Sequence, residues 1–176
     1  MSEVHVIGQI IGAKAFPDHR IFCKWSVHAG DQWRLLQGTI KGVTMLDVPV
    51  DNSKAVWMHP IDIHFATSSL KGWPRFQFTV WHHDRRGRDH PYAYGCAYIP
   101  SSPGNHRISC ATWRPLGTRS QQLNIFFKGG GIELNKQDII HASSELYKLR
   151  TVSMGSIDID VNIITRNFSK FGVSYN

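Results

Sequence analysis

Ile157-Asp158-Ile159-Asp160-Val161-Asn162-Ile163 alternates without a break. The Ile and Val side chains fall on one side and the Asp and Asn on the other, which is the period of a half-buried β-strand. Working outward from it, the same period returns along the chain. It covers 4–10, 22–27, the short stretch 33–36, 61–65, 75–81 and 92–99. In 22–27 it sets Cys23, Trp25 and Val27 against Phe22, Lys24 and Ser26. Strands at such short intervals, with Gly and Pro between them, predict an all-β fold, an antiparallel β-sandwich of about eight strands in two packed sheets. One segment breaks the period. Ser120 as an N-cap, Leu123, Phe126 and Phe127 at helical spacing, and a stop at Gly129 predict a short amphipathic helix over 120–128 that packs on the sandwich.

Composition agrees. A chain of 176 residues buries about 70% of the surface its unfolded form exposes and needs no staples. Hydrophobic residues at 41% and charged residues at 19% argue against disorder and against a long charged coiled coil. Six Trp, nine Phe and five Tyr suit pleated sheets. The net charge is +7, and ten His add to it in mild acid. No stretch reads as a linker, a repeat or a low-complexity tract, so 1–176 reads as one domain. Cys23, Cys96 and Cys110 form no C-x-x-C pair, and the opening Met1-Ser2-Glu3-Val4-His5-Val6 does not read as a secretory leader. Reduced thiols and a cytoplasmic location are the expectation, with the sequon Asn167-Phe168-Ser169 unused. No apolar run approaches the ~18 residues that a membrane-spanning helix needs.

The richest polar segment is His82-His83-Asp84-Arg85-Arg86-Gly87-Arg88-Asp89-His90, a loop between two strong strands at one end of the sandwich. Three His and two Asp invite a metal, but three Arg within four positions repel one. A solvated basic loop, or one that contacts an anionic membrane, fits better. The candidate contact residues are His83, Arg85, Arg86, Arg88 and His90, and the titrating His predict binding that strengthens in mild acid. The segment resembles the third calcium loop of the membrane-binding C-two fold, an eight-stranded β-sandwich. In that family a strand ending Val-Trp-Asp-x-Asp enters the loop. Here His82 stands at the first Asp, Asp84 at the second, and Asp89 or His90 near the third, while Asp18 matches a first-loop Asp. Calcium prefers six to eight hard oxygens, so a His at a bridging position predicts no calcium site.

Other chemistry is sparse. Asp62 and His64 share one strand face and are expected to form a hydrogen-bonded pair. No nucleophile motif, zinc-protease motif, Walker lysine or dinucleotide fingerprint occurs. Lys128-Gly129-Gly130-Gly131 reads as a helix cap and turn. Most aromatics lie on apolar strand faces, with no continuous basic stripe, so nucleic acid is not an expected partner. Pro100-Ser101-Ser102-Pro103-Gly104 reads as a structural turn supporting assembly, in which Gly104 can take positive φ. Thr112-Trp113-Arg114-Pro115-Leu116-Gly117 reads as a second corner.

Several segments together resemble one family. They include Val4-His5-Val6-Ile7-Gly8-Gln9-Ile10-Ile11-Gly12, Phe22-Cys23-Lys24-Trp25, and His59-Pro60-Ile61-Asp62-Ile63-His64-Phe65-Ala66-Thr67. They continue with Gly72-Trp73-Pro74-Arg75, the turn at 98–104, the corner at 112–117, 127–131, and Arg166-Asn167-Phe168-Ser169-Lys170-Phe171-Gly172-Val173. The chain is similar in these segments, from about residue 3 to 173 and in order, to the B-nine domain family of the ciliary transition zone. The resemblance implies a C-two-like sandwich without catalytic role or cofactor. It implies a structural subunit of the Meckel syndrome complex at the cilium base and basal body, acting in cilium assembly and in gating membrane-protein entry. The partners implied are the sister B-nine proteins, and more loosely other transition-zone proteins and microtubules.

Overall fold

In a computed structural model, which describes residues 1–18, 20–49, 54–117 and 150–172, the chain is almost entirely β-strand. The strands are β1 (Ser2–Lys14), β2 (Ile21–His28), β3 (Trp33–Gly38), β4 (Lys41–Val43), β5 (Ala55–Thr67), β6 (Arg75–His83), β7 (Asp89–Tyr98), β8 (Gly104–Pro115) and β9 (Thr151–Arg166), followed by a 3-10 helix at Phe168–Phe171. All pairings are antiparallel. The order is β3-β5-β1-β9-β8-β7-β6-β2-β4.

The expected sandwich is therefore present, with nine strands among the described residues. Its two layers are not separate sheets. β3, β5, β1, β9 and β8 form one layer, and β7, β6, β2 and β4 the other. They stay hydrogen-bonded through β7 and β8, which pair only at Tyr94–Trp113 and Gly95–Thr112. The sheet curls over at this narrow junction, and its inner faces meet in one core. Ile157, Ile159, Val161 and Ile163 from β9 reach the same cluster as Phe76, Phe78 and Val80 from β6. Trp57 of β5 crosses the gap to donate its indole N–H to the Ile21 carbonyl at 3.3 Å. Burial of these apolar faces is the main stabilising term.

The alternate side chains of β9 turn outward, where the strand register supplies their partners. Asp158 meets Lys14 Nζ at 2.7 Å and accepts a bond from Ser109 Oγ at 2.9 Å, and Asp160 pairs with Arg107 at 2.8 Å. The ends of the sandwich are distinct. Arg75 pairs with Tyr98 at one end of the β6–β7 ladder and His83 with Asp89 at the other. The turn at 100–104 and the loop at 82–90 thus lie at opposite ends.

The turn end is capped by aromatic rings. Trp33 makes edge contacts with Phe65 and Trp73, Trp73 with Phe168, and Phe168 with Phe171. Gly104 takes φ +113°, as its place in the turn predicted. The corner read at 112–117 is corrected: Thr112 to Pro115 are the last residues of β8 and pair with β7 and β9. The helix expected over 120–128 and the cap at 128–131 lie outside the described residues.

Candidate functional site

The loop between β6 and β7 is the best-defined polar constellation. Its turn is closed by Asp84 N–H donating to Arg88 O at 2.9 Å and Gly87 N–H to Asp84 O at 3.1 Å. Gly87 accommodates φ +78°. The Asp84 carboxylate lies inside the turn it creates. Its Oδ1 accepts the backbone N–H of Arg86 at 2.8 Å and of Arg88 at 2.9 Å. Its Oδ2 accepts Arg88 Nε at 3.0 Å and faces His90 Nε2 at 3.1 Å. These bonds, led by the Arg88 amide, hold the Asp84 carboxyl well below the usual carboxylate range.

The other acids of the region are also engaged. Asp89 Oδ1 lies 2.7 Å from His83 Nδ1. Asp18, from the connection between β1 and β2, accepts the Tyr92 hydroxyl at 2.7 Å. Burial, then that bond, pushes the Tyr92 phenol up. His82 lies against the Tyr92 ring, with centroids 5.5 Å apart, and burial lowers its pKa. It is thus harder to charge in mild acid than an ordinary histidine.

This geometry gives a physical reason to expect no calcium there. A calcium ion needs several carboxylate oxygens free to turn toward it. Here Asp84, Asp89 and Asp18 each already serve a protein donor, and the Arg88 guanidinium supplies the positive charge beside Asp84. Of the five candidate contact residues, His83, Arg88 and His90 turn onto the loop's own carboxylates. Arg85 and Arg86 are exposed, and among the described residues neither has an ion-pair partner.

The lowered Asp84 pKa has a definite sign. A depressed carboxyl contributes stability that is present in full above its unfolded pKa near about 4 and is lost progressively as pH falls from there through the lower folded value, while in the folded chain the carboxylate itself stays charged through the ordinary range. A carbon-detected NMR titration is expected to find Asp84 still ionised there. Asp84→Ala should speed hydrogen exchange at the Arg86 and Arg88 amides. A normal Asp84 titration would contradict the geometry.

The Asp62–His64 pairing is corrected. His5 Nε2 lies 2.7 Å from Asp62 Oδ1, and His64 faces Glu3 at 3.4 Å. The two imidazoles stack at 5.0 Å between centroids. His5 lies directly opposite His64 in the register, and each imidazole turns to its diagonal cross-strand neighbour, Asp62 and Glu3, within reach of long side chains. At the other end, Ser101 and Ser102 are exposed, and the Ser102 carbonyl lies 2.9 Å from His106 Nε2. Cys23, Cys96 and Cys110 are free thiols, and burial pushes Cys110 up to about 12. Among the described residues, no helix is long and apolar enough to cross a membrane.

The arrangement is a rigid sandwich with a self-neutralised loop and two outward guanidinia. Against it stands a family match: the model described as "Ciliary basal body-associated, B9 protein" covers residues 4–164. The chain belongs to this family. B9 domain-containing protein 2 of Danio rerio is 49% identical over 98% of this chain and 99% of its own length. Its Drosophila melanogaster counterpart is 38% identical over 99% of both chains. B9 domain-containing protein 1 of Xenopus laevis is 27% identical over 96% of this chain and 87% of its own, so the B9 family includes a second, paralogous branch. Among solved structures, a C2 domain of plant extended synaptotagmin 1 has a TM-score of 0.46 at 10% identity, covering 94% of this chain and 96% of that one. The family read from the sequence motifs is thus the B9 family, whose members are ciliary and basal-body associated.

Proposed function

We propose that this B9 chain, 1–176 acting as one unit, is a non-enzymatic structural subunit of the ciliary transition-zone (Meckel syndrome) complex. It acts by binding sister B9 proteins on the cytoplasmic side of the cilium base, and so supports cilium assembly and the gating of membrane-protein entry. The observation that carries this reading is the B9 match over 4–164 together with a paralogous B9 branch of similar extent. Among the described residues the sandwich offers what an assembly module needs, namely open edges at β3 and β4 and exposed apolar residues. A stable interface buries on the order of 1,200–2,000 Å² in total. The turn from Pro100 through Ser101, Ser102 and Pro103 to Gly104 joins the two layers. A bulky charge at Ser101 or Ser102 is expected to weaken assembly by disturbing β7 and β8. Co-expression of the three sister B9 proteins followed by size-exclusion chromatography should give one co-eluting species. Three separate monomers at micromolar concentration would defeat the reading.

A second reading is favoured by Arg85 and Arg86, whose guanidinia stand outward at the loop end. The loop then rests on anionic phospholipid without calcium, each exposed Arg contributing about 1 kcal/mol. Binding to phosphatidylserine vesicles should be weak and salt-sensitive, and R85E/R86E/R88E should abolish it. Undiminished sedimentation of the triple variant would move membrane contact to another surface.

A further inference from the structure

Among the described residues, the side of the sandwich opposite the β7–β8 junction is open. β3 and β4 are the two terminal strands of the sheet order. They lie in different layers, joined across the gap by Thr39 and Ile40, which follow Gly38 at the end of β3, where φ is +94°. Every second backbone N–H and C=O of such a strand points away from its single partner. Between the two edges runs a groove of about 410 Å³, lined by Val27, Trp33, Leu35, Ile40 and Phe65 among others.

The rim is apolar and basic. Leu35 is 37% exposed, Leu36 42%, Ile40 40% and Val43 52%. Arg34 and Lys41 flank them and are exposed, and residues 32–46 contain no Asp or Glu. β3 is short and its register with β5 shifts between Leu35 and Gln37, yet its edge remains largely uncovered among the described residues. Gln37 and Arg34 are polar, but no proline interrupts it, and only Trp33 of its six residues is buried.

We infer that this seam is the docking site for an extended segment of a sister B9 protein, one with apolar side chains at alternate positions and acidic residues between them. The segment adds to the β3 edge through backbone hydrogen bonds. It sets one apolar side chain into the groove between Leu35 and Ile40, and its carboxylates meet Arg34 and Lys41. A strand fits better than a helix, because the unpaired backbone of β3 is part of what has to be satisfied, and because sheet layers only about 10 Å apart admit a side chain rather than a helix. The acidic character follows from Arg34 and Lys41 in the middle of the rim; Asp31 and Asp47 lie just beyond its two ends, and Asp47 already accepts the Val56 N–H. This inference rests on the sister-assembly reading and names the surface that would carry it.

The test compares the isolated chain with its co-purified complex with the sister B9 proteins. Hydrogen exchange at the amides of 33–38 is expected to slow by at least about ten-fold on assembly. Leu35→Asp, and separately R34E/K41E, are expected to weaken assembly by about ten-fold or more. All three side chains are exposed, so the R34E/K41E circular dichroism and melting should match the unsubstituted chain even where L35D misfolds. A complex that forms with unchanged affinity in R34E/K41E, and with unchanged exchange at 33–38, overturns the seam while leaving assembly standing. If the unsubstituted chain forms no complex, the assembly reading fails, and this inference with it. Protection of 33–38 by concentration-dependent self-association of the isolated chain would make the occupant a second copy and overturn the acidic sister segment.

Discussion

Trp33→Ala is expected to remove about 3–5 kcal/mol of folding stability, the range for emptying a buried aromatic site. Trp33 is only 8% exposed although it begins an edge strand. Its indole N–H donates to the Lys71 carbonyl at 3.0 Å. Its ring meets Phe65 at 6.1 Å and Trp73 at 5.0 Å between centroids, both edge-on. Trp73 is held in turn by a 2.8 Å bond to the Ile99 carbonyl and by the Phe168 ring. Alanine leaves a cavity under this cap and a carbonyl without its donor. For a chain of this size the loss corresponds to a melting temperature lower by roughly 6–20 °C. Trp33→Phe keeps most of the volume, forfeits only the N–H, and should cost about 1–2 kcal/mol. An alanine variant within about 1 kcal/mol of the unsubstituted chain in a urea titration would show that the ring stack does not hold this end closed.

Gly12→Ala should have an effect of similar size for a different reason. β1 lies between β5 and β9, and both pairings shift register between Ile10 and Gly12. At that irregularity the chains approach closely. A Cβ on Gly12 would stand 1.9 Å from the Ala55 carbonyl oxygen and 3.0 Å from its carbon. The close atoms are all β5 backbone, with no flexible side chain to move aside, so β1 and β5 must part and lose ladder hydrogen bonds. A cost of about 3 kcal/mol is expected. Gly87→Ala is the natural control. Its added Cβ meets nothing within 4 Å, and only its φ of +78° resists, a penalty of about 1–2 kcal/mol. Equal losses for the two variants in the same titration would show that the close approach at Gly12 is relieved cheaply.

Much of the fold was legible because its physical signal is local. The alternation at 157–163 becomes the centre of β9, with Ile157, Ile159, Val161 and Ile163 all buried. β8 escaped notice for the converse reason. Gly104–Pro115 buries only Cys110, Thr112 and Pro115 of its twelve residues, so no apolar period marks it. β4 is three residues long, below what a period can show. The continuity of the two layers was not readable, because it depends on two residue pairs between β7 and β8. The loop at 82–90 was found from its charge. Which of its charges cancel was not visible, since Asp84 is satisfied largely by backbone amides, which carry no side-chain signature. The pairing of His5 with Asp62 joins residues 57 positions apart, which only register decides. The open seam had one faint mark, the adjacent pair Leu35 and Leu36 in a strand that should alternate.

The place of β1 bears on how the chain is made. Of the described strands it is synthesised first, yet it lies between β5 and β9, and its ladder to β9 runs from Glu3–Arg166 to Lys14–Ser156. A nascent chain that has emerged through β8 holds only one of the two neighbours that β1 requires. Until the codons for β9 are read, β1 offers a bare edge with Val4, Val6 and Ile10 uncovered, a template for wrong pairing. The sheet therefore closes only after β9 has left the ribosome, and during that interval the chain depends on dilution or on chaperones. A premature stop that deletes β9 removes the middle of the sheet rather than its margin.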